Sequence, residues 1–468
     1  MTQLVAGVDS STQSVKIVIR NAETGELIRE GRAAHPDGTE VDPEKWWSAL
    51  NEAIAQAGGL SDVAAIAIGG QQHGMVLLDS DGKVIRPALL WNDTRSATQA
   101  TTLNEEVGGS SSMAQAVGSS LVASFTASKV RWVADNEARN AEKIAAVALP
   151  HDWLSWKLLG TSKLDDLFTD RGDASGTGYF DAEKSAYRLD IFARALQSER
   201  HVILPRIIEP HTFAGKTSAG IPIAAGTGDN AAAALGLGAQ PGDVVVSLGT
   251  SGTAFAVSDT ATHDGSGEVA GFADATGRFL PLVCTLNAAR ILDAATRILG
   301  VDHAELGRLA LLAEPGAQGL TLLPYFEGER TPNRPDATGV FSGMTLANST
   351  RENIARAMIE GMLCGLADAV DSLVKLGVEV KRILLIGGAA KNPAIAPIAS
   401  ALFGREVLLP PAGEYVANGA AKQAAWALLG GAQPPYWDLG EVHSFTSEPT
   451  PQVLINYRTL RDNTVGWK

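Results

Sequence analysis

Two aspartates stand where an apolar run meets a turn of small residues, a position from which a carboxylate can act on a bound substrate. Asp9 ends the run 4–9, and Asp229 follows Gly226-Thr227-Gly228 at the start of an alanine-rich helix. Mg²⁺ prefers oxygen ligands and keeps much of its hydration, so Asp9 could orient that ion through water. Asp229 could serve as a general base, because the neighbouring glycines let a substrate approach the backbone closely. The alternative for both aspartates is a structural one, in which each only caps a turn or a helix.

Two further segments carry side chains that suit a neutral polyol. The segment 69–75 places Gln72 and His73 after an apolar strand, at a glycine turn. Amides and imidazoles donate and accept hydrogen bonds without charge, as sugar hydroxyls require. Trp91, Asn92 and Asp93 add an aromatic face, an amide and an acid after the next strand. Taken alone, each segment could instead be a core histidine or a surface turn.

The opening hairpin of the chain is repeated in its middle. Residues 7–19 and 244–257 each read as an apolar strand, a turn of Gly, Ser and Thr, and a second apolar strand. Such turns leave backbone N–H groups free to bind anions, so two of them indicate phosphate sites on two related domains. A third turn, Gly387-Gly388 after the strand 383–386, is flat enough to lie against adenine or ribose. The chain contains neither a Walker A sequence nor a dinucleotide fingerprint followed by its acid.

Alternating strands, glycine turns and helices predict an α/β protein with mixed sheets. The 468 residues are enough for two to four domains, and the net charge of −14, without a basic patch, argues against nucleic-acid binding. Cys284 and Cys364 lack metal-ligand spacing and predict reduced core thiols. The first residues show no signal peptide and no apolar run reaches 18 residues, so we expect a cytoplasmic protein without a membrane contact.

Taken in order, these segments resemble the FGGY carbohydrate kinases over nearly the whole chain, from Gly7 to about Gly431. Each matching segment is modest alone, but their order and spacing together are specific. The segments are the Gly-x-Asp hairpin, Gly70-Gln71-Gln72-His73-Gly74, Leu90-Trp91-Asn92-Asp93, Gly228-Asp229-Asn230-Ala231-Ala232, Ser247-Leu248-Gly249-Thr250-Ser251-Gly252, 323–332 with Gly328-Glu329-Arg330-Thr331-Pro332, and Leu385-Ile386-Gly387-Gly388.

The resemblance implies two ribonuclease-H-like domains of the actin-like, sugar kinase and Hsp70 type, flanking a deep cleft. The sugar-binding domain is expected over 1–242 with an insertion near 100–200, and the nucleotide-binding domain over 243–432. Residues 433–468 are expected to be a tail laid over the surface.

The resemblance also implies the reaction, an ATP-dependent phosphorylation of a sugar hydroxyl. By position, Asp229 matches the catalytic base and Asp9 the acid near Mg²⁺. The residues expected to bind the sugar are Gln72, His73, Trp91, Asn92, Asp93 and Asn230. The residues expected to bind ATP are Thr12, Lys16, Gly249, Thr250, Ser251, Gly387, Gly388 and Asn392.

The sugar-facing groups favour a ketopentose, and the resemblance implies that it is D-xylulose, phosphorylated to D-xylulose 5-phosphate. Gln72 departs from the family's pattern, so ribulose, gluconate, glycerol and arabitol stay open as alternatives. A nucleotide-switched binding protein of the actin or chaperone class is the more distant alternative. Partners are expected to be small molecules, and a homodimer with a second copy of the chain stays open.

Overall fold

The structure is a computed structural model and describes residues 3–467. The strands of residues 3–239 are β1 (Leu4–Ser10), β2 (Ser14–Asn21), β3 (Leu27–Ala34), β4 (Glu40–Val41), β5 (Val63–Gly70), β6 (Val76–Leu78), β7 (Ala88–Leu89), β8 (Ala146–Ala148), β9 (Phe168–Thr169), β10 (Phe180–Asp181), β11 (Ala186–Tyr187), β12 (Arg206–Ile207), β13 (Phe213–Lys216), β14 (Pro222–Ala224) and β15 (Thr227–Gly228). The helices of the same part are α1 (Pro43–Gln56), α2 (Ala97–Glu106), α3 (Ser110–Val117), α4 (Thr126–Asn136), α5 (Ala138–Ala141), α6 (Pro150–Leu159), α7 (Arg171–Ala174), α8 (Leu189–Leu196) and α9 (Asp229–Leu237).

The remaining strands are β16 (Asp243–Leu248), β17 (Gly252–Ala256), β18 (Ala270–Ala273), β19 (Phe279–Thr285), β20 (Thr321–Leu323), β21 (Val340–Ser342), β22 (Arg382–Ile386), β23 (Val407–Leu409) and β24 (His443–Phe445). The remaining helices are α10 (Ala289–Leu299), α11 (His303–Leu312), α12 (Arg351–Lys375), α13 (Ile395–Phe403), α14 (Tyr415–Leu429) and α15 (Pro451–Asn463).

The chain folds into two compact units, each made of three segments. The first unit contains the residues up to Ala239 together with Asp259–Leu280 and Glu414–Asp438. The second unit contains Gln240–Ser258, Pro281–Gly413 and the chain from Leu439. The division at residue 242 expected from the sequence assumed continuous segments, whereas the folded chain returns to the first unit twice.

The two units carry mixed sheets of the same plan. In the first, the strand order is β13-β14-β5-β1-β2-β3, with β15 paired to β5. In the second, six consecutive strands have the order β24-β23-β22-β16-β17-β19. In each sheet the repeated hairpin (β1–β2 or β16–β17) is antiparallel, and its first strand pairs in parallel with β5 or β22. The prediction of an α/β fold with two related domains is therefore confirmed.

Helix α14 belongs to the first unit because glycines let it approach the sheet and α9 very closely. A Cβ atom on Gly7 would lie 2.0 Å from the carbonyl oxygen of Ala417. A Cβ atom on Gly419 would lie 1.8 Å from the carbonyl oxygen of Ala232 in α9. These contacts explain why the segment 414–438 packs with the first unit although it is distant in sequence.

Residues 433–468, expected to be a surface tail, include regular structure within their described part. Strand β24 pairs antiparallel with β23, and Val453 and Tyr457 of α15 are buried. The indole of Trp437 donates a hydrogen bond to the carbonyl oxygen of Ala22 at 3.1 Å. Trp437, Val453 and Tyr457 are therefore packed against the protein, whereas Tyr436, Ile455 and Val465 of the same stretch are exposed.

The 25-residue helix α12 is the longest described helix of the second unit. Its N-cap residue is Thr350, whose hydroxyl accepts a hydrogen bond from the backbone N–H of Asn353 at 3.2 Å. The helix contains a buried ion pair between Arg356 and Glu360. Among the helices of residues 3–467, none is at once long enough and apolar enough to cross a membrane.

Candidate active site

Asp9 and Asp229 lie at the carboxyl ends of β1 and β15, the two strands that pair in parallel with the end of β5. In the register of β1 with β5, Asp9 is opposite Gly69 and Ser10 is opposite Gly70. In the register of β15 with β5, Thr227 is opposite Gly69, and Asp229 starts α9 two residues later. Parallel strands end at the same edge of a sheet, so the fold brings the two aspartates together across the carboxyl end of β5.

The carboxylate of Asp229 is not used as a helix cap. Gly228 occupies the N-cap position of α9, and Asp229 is the first helical residue. One of its oxygens accepts hydrogen bonds from the backbone N–H and the side-chain amide of Asn230, both at 2.8 Å. Asp229 is therefore not the N-cap residue of α9, although its carboxylate accepts the N–H of the second helical residue, and the side-chain amide of Asn230 is directed at this carboxylate.

Both carboxyl groups hold their protons more tightly than they would in water. Burial raises the pKa of Asp229 to about 7, and the nearby negative charge of Asp9 adds to that rise. Burial also raises the pKa of Asp9 to about 6, opposed by a hydrogen bond from Ser11 and by the charge of Lys16. A carboxyl with a pKa near neutrality is suited to accept and release a proton at physiological pH.

The surroundings of Asp9 offer oxygen atoms to a cation. The hydroxyl of Ser11 donates to Asp9 at 2.5 Å, and Lys16 is opposite Asp9 in the β1–β2 register. Lys16 forms an ion pair with Glu414 at 2.5 Å. The charge of this lysine is thus partly neutralised by Glu414, which leaves the buried Asp9 carboxylate available to a divalent ion.

Gln72 and His73 are both held against the chain segment that contains α7. The side-chain amide of Gln72 donates to the carbonyl oxygen of Gly172 at 3.2 Å. Nδ1 of His73 lies 2.6 Å from the carbonyl oxygen of Gly176, which fixes Nδ1 as the donor. A Cβ atom on Gly228 would lie 2.6 Å from Cγ of Gln72, so Gln72 also borders the turn that carries Asp229.

Gln71 directly follows β5 and carries a further buried amide, although it was not among the residues predicted to bind the sugar. It is 1% exposed, and neither its amide nitrogen nor its oxygen has a hydrogen-bond partner within residues 3–467. The only sequence signal for it was its place beside Gln72 and His73.

The tryptophan of the second polyol segment lies near the first hairpin. Its indole nitrogen, in Trp91, donates to the hydroxyl of Thr12 at 2.8 Å, so the fold joins a predicted sugar residue to a predicted phosphate residue. Asn92 is partly buried, and its side-chain oxygen has no hydrogen-bond partner among the described residues. Trp91 and Asn92 therefore keep polar or aromatic surface available to a ligand.

Asp93, by contrast, is committed to neighbours within the protein. Its carboxylate accepts hydrogen bonds from the hydroxyl of Thr39 at 2.8 Å and from the guanidinium of Arg95 at 2.9 Å. Burial alone would raise the pKa of Asp93, but these hydrogen bonds outweigh it and the pKa is lowered. The carboxylate thus supports the turn that presents Trp91 and Asn92.

A buried histidine and a buried aspartate, neither of them predicted from the sequence, lie close to the end of β5. His151 of α6 and Asp173 of α7 are 0% exposed, with His151 Nδ1 and Asp173 Oδ2 2.8 Å apart. The other ring nitrogen, Nε2, lies 2.9 Å from the carbonyl oxygen of Ala225. A carbonyl oxygen only accepts, so Nε2 carries a proton, and a second proton lies between Nδ1 and Asp173.

His151, Asp152 and Asp173 place three potential ligand atoms within 4.8 Å of one another. Nδ1 of His151 is 2.8 Å from Asp173 and 3.1 Å from Asp152, which are hydrogen-bond distances. Burial would lower the pKa of His151, but the hydrogen bonds to both aspartates outweigh it and raise that pKa well above its usual range. A shared proton therefore accounts for this cluster without a metal ion.

In the second unit, the turn 249–251, predicted to bind phosphate, is adjacent to the turn at Gly387 and Gly388, predicted to bind adenosine. Gly249, Thr250 and Ser251 form the turn between β16 and β17, where Leu248 pairs with Gly252. Gly387 has a φ of +99° and follows β22, the parallel neighbour of β16. A Cβ atom on Gly387 would lie 2.5 Å from the carbonyl oxygen of Leu248, so only glycine permits this approach.

The two remaining predicted nucleotide residues differ in their surroundings. A Cβ atom on Gly388 would meet nothing within 4 Å among the described residues, so this part of the turn is open. The side-chain amide of Asn392 donates to the carbonyl oxygen of His303 at 2.7 Å, and its oxygen accepts from the N–H of Ala394 at 3.0 Å. Asn392 therefore stabilises the start of α13 from within the unit.

Comparison with known proteins supports the family resemblance over both halves of the chain. Residues 4–236 match the N-terminal domain of the FGGY family of carbohydrate kinases, and residues 244–428 match its C-terminal domain. The xylulose kinases of Streptomyces coelicolor and Streptomyces rubiginosus are each 44% identical over 441 residues, which are 91% of this chain and 88% of each relative. The solved structure of xylulose kinase from Bifidobacterium adolescentis is 51% identical, with a TM-score of 0.92 over 98% of this chain and 99% of that chain. The chain belongs to the FGGY family of carbohydrate kinases.

Proposed function

We propose that the protein transfers the γ-phosphoryl group of ATP to the primary hydroxyl of D-xylulose, yielding D-xylulose 5-phosphate and ADP. Membership of a carbohydrate kinase family supports the reaction class. The xylulose kinases at 44% and 51% identity support the sugar. The observation that carries the proposal is the pair Asp9 and Asp229, two carboxylates brought together at the ends of the two strands that flank β5.

Asp229 is the proposed general base. Its raised pKa of about 7 lets the carboxylate take the proton of the attacking hydroxyl, a contribution of about 10²–10⁴-fold in rate. Asn230 holds one carboxylate oxygen through two hydrogen bonds, which leaves the other oxygen to meet the hydroxyl. Phosphoryl transfer needs little covalent help from the protein, so correct placement of this hydroxyl accounts for much of the catalysis.

The sugar is held by uncharged groups around this base. Gln72 borders the Asp229 turn and His73 follows Gln72 in the chain, and Trp91 offers an apolar ring to the C–H face of the sugar. The buried amide of Gln71 adds donor and acceptor capacity that the protein itself leaves unused among residues 3–467. Asn92 has an unused side-chain oxygen in the same described part.

Mg²⁺ fits the surroundings of Asp9. The carboxylate supplies a hard oxygen ligand, and burial makes its charge costly unless a cation compensates it. When bound, the ion would neutralise charge on the β- and γ-phosphates. Asp9 is the proposed residue that orients it through water.

The ATP contacts that we propose lie on three turns. Thr12 and Lys16 belong to the first hairpin, and Gly249, Thr250 and Ser251 to the second, where backbone N–H groups and hydroxyls suit phosphate oxygens. Gly387 and Gly388 suit adenosine, because a turn without side chains lets the flat base approach the backbone. The cytoplasmic location and the homodimer expected from the sequence remain predictions.

The test is ADP release from Mg-ATP by purified protein, without sugar and then with D-xylulose, D-ribulose, L-ribulose, gluconate, glycerol or arabitol. We expect a many-fold rise with D-xylulose that the other compounds do not match. A larger rise with another polyol would move the specificity to that compound. ADP release that no sugar changes would refute the kinase proposal and favour a nucleotide-switched binding protein.

The base is tested by Asp229→Ala, with Asp190→Ala as the matched control. Asp190 also lies in the first turn of a helix, α8, but it is exposed and paired with Arg188. We expect Asp229→Ala to lose most sugar phosphorylation, about 10²-fold or more, and Asp190→Ala to keep it. Turnover of Asp229→Ala within a few-fold of the unchanged protein would reject Asp229 as the base.

A further inference from the structure

The segment 170–176, which contains α7, contacts both residues of the proposed sugar-binding pair, Gln72 and His73. Its carbonyl oxygens at Gly172 and Gly176 accept the hydrogen bonds of Gln72 and His73. Through Asp170 and Asp173 the same segment also reaches the turn that leads into Asp229. One short piece of chain thus contacts the sugar-binding pair and the support of the base.

The contact with the base-bearing turn is made by Asp170. One carboxylate oxygen accepts from the hydroxyl of Thr227 at 2.7 Å and from the N–H of Gly172 at 2.9 Å, and the other accepts from the N–H of Asp173 at 2.8 Å. Asp170 is 2% exposed and Thr227 is 0% exposed. Water cannot replace a hydrogen bond at this depth without rearrangement, so the bond fixes Thr227, two residues before Asp229.

His151 makes a second contact with the same turn. Its ring links Asp173 to the carbonyl oxygen of Ala225. A Cβ atom on Gly226, which has a φ of +73°, would lie 2.5 Å from His151 Nε2. The turn 225–228 is therefore held on one side by an imidazole and on the other by a carboxylate.

We infer that the segment 170–176 is a positioning element of the active site, in which Asp170 acts through Thr227, and Asp173 through His151, to hold Asp229 in register with Gln72 and His73. The inference rests on the proposed function of Asp229 as the base. None of these positioning residues needs to touch the substrate. Their effect on catalysis comes from placement, and a misplacement of about 1 Å can cost about 10²-fold in rate.

The test uses Thr227→Val, with Thr227→Ser as the matched control. Valine has nearly the volume of threonine but lacks the hydroxyl, whereas serine keeps the hydroxyl that donates to Asp170. We expect Thr227→Val to lower kcat for D-xylulose by about 10–100-fold while KM changes by less than about threefold. Thr227→Ser should restore kcat to within about threefold of the unchanged protein. Thermal unfolding of each variant establishes that the folded enzyme is being compared.

Asp170→Asn provides an independent test of the same contact. Both carboxylate oxygens of Asp170 accept hydrogen bonds, whereas an asparagine amide has only one oxygen acceptor. We expect Asp170→Asn to lower kcat with little change in KM. Adding Thr227→Val to Asp170→Asn should then cost less than Thr227→Val alone, because the bond is already weakened. If Thr227→Val unfolds below the assay temperature, the kcat and KM of Asp170→Asn alone test the inference.

Two results would overturn the inference: unchanged kcat in both Thr227→Val and Asp170→Asn, or fully additive losses in the double variant. Either result with an active unchanged protein rejects only the positioning role. Absence of sugar-dependent ADP release in the unchanged protein would instead reject the proposed function. The two failures are therefore distinguishable in one set of assays.

Discussion

Replacing Asp229 with asparagine should abolish catalysis and at the same time stabilise the protein at alkaline pH. The pKa of Asp229 rises from 3.8 to about 7 in the folded chain, mainly because of burial. Between these values the folded protein holds a proton that the unfolded chain releases. The stability associated with this proton is fully present below pH 3.8 and is lost as the pH rises to about 7.

The size of the effect follows from the pKa difference. Three pKa units at about 1.4 kcal/mol each give an upper limit of about 4 kcal/mol for the ionised carboxylate. Asp229 is partly exposed, so screening by solvent reduces the expected gain in Asp229→Asn to about 1–2 kcal/mol. The gain should be present at pH 8 and smaller at pH 5.

The assay is chemical or thermal unfolding of Asp229→Asn and the unchanged protein at both pH values, beside ADP release with D-xylulose. Asp93→Asn is the matched control of opposite sign, because hydrogen bonds from Arg95 and Thr39 lower the pKa of Asp93. The control should be less stable than the unchanged protein at pH 8. Equal stability of Asp229→Asn and the unchanged protein at pH 8, or a gain that does not depend on pH, would refute the reasoning.

Three further outcomes are expected. The kcat/KM for sugar should fall as the pH drops below about 7, where Asp229 becomes protonated; a profile that is flat from pH 5 to 8 would contradict the role of the base. Chelation of Mg²⁺ should stop ADP release, and Asp9→Asn should raise the Mg²⁺ concentration needed for half-maximal rate; an unchanged requirement would separate Asp9 from the ion. Gly419→Ala should destabilise the protein by about 3 kcal/mol or more in denaturant unfolding, because its Cβ would lie 1.8 Å from the carbonyl oxygen of Ala232. The matched control, Gly365→Ala, has only the Tyr457 hydroxyl at 3.5 Å and should be neutral or stabilising, and similar losses in both would reject the packing argument.

The parts of the site that could be predicted from the sequence are those with a local signal. Asp9 ends an apolar strand just before a turn of small residues, and Asp229 follows such a turn at the start of a helix, so both are expected at the edge of a sheet. The repeated hairpin likewise predicted two sheets of one plan, which the strand orders confirm. Periodicity and turn composition suffice here because they depend on neighbours only a few residues apart.

Residues whose role depends on a distant partner could not be assigned in this way. Asp170, Asp173 and His151 lie in a region interpreted only as an insertion, yet Asp170 and His151 contact the turn at 225–227, and Asp173 binds His151. Asp93 and Asn392 were selected for their chemistry, but their polar groups have partners within the protein. No local pattern states whether a polar side chain will meet a ligand or another part of the chain.

The amino-acid sequence by itself determined the family, the two-sheet α/β plan and the choice of Asp9 and Asp229 as candidate site residues. Each of these is indicated by short motifs and by the order of those motifs along the chain. Folding in three dimensions determined which polar groups remain free, how the pKa values of Asp9 and Asp229 rise, and that α14 returns to the first sheet. These properties depend on burial and on contacts between residues far apart in sequence, such as Gly7 with Ala417. Desolvation and close packing arise only when such segments meet.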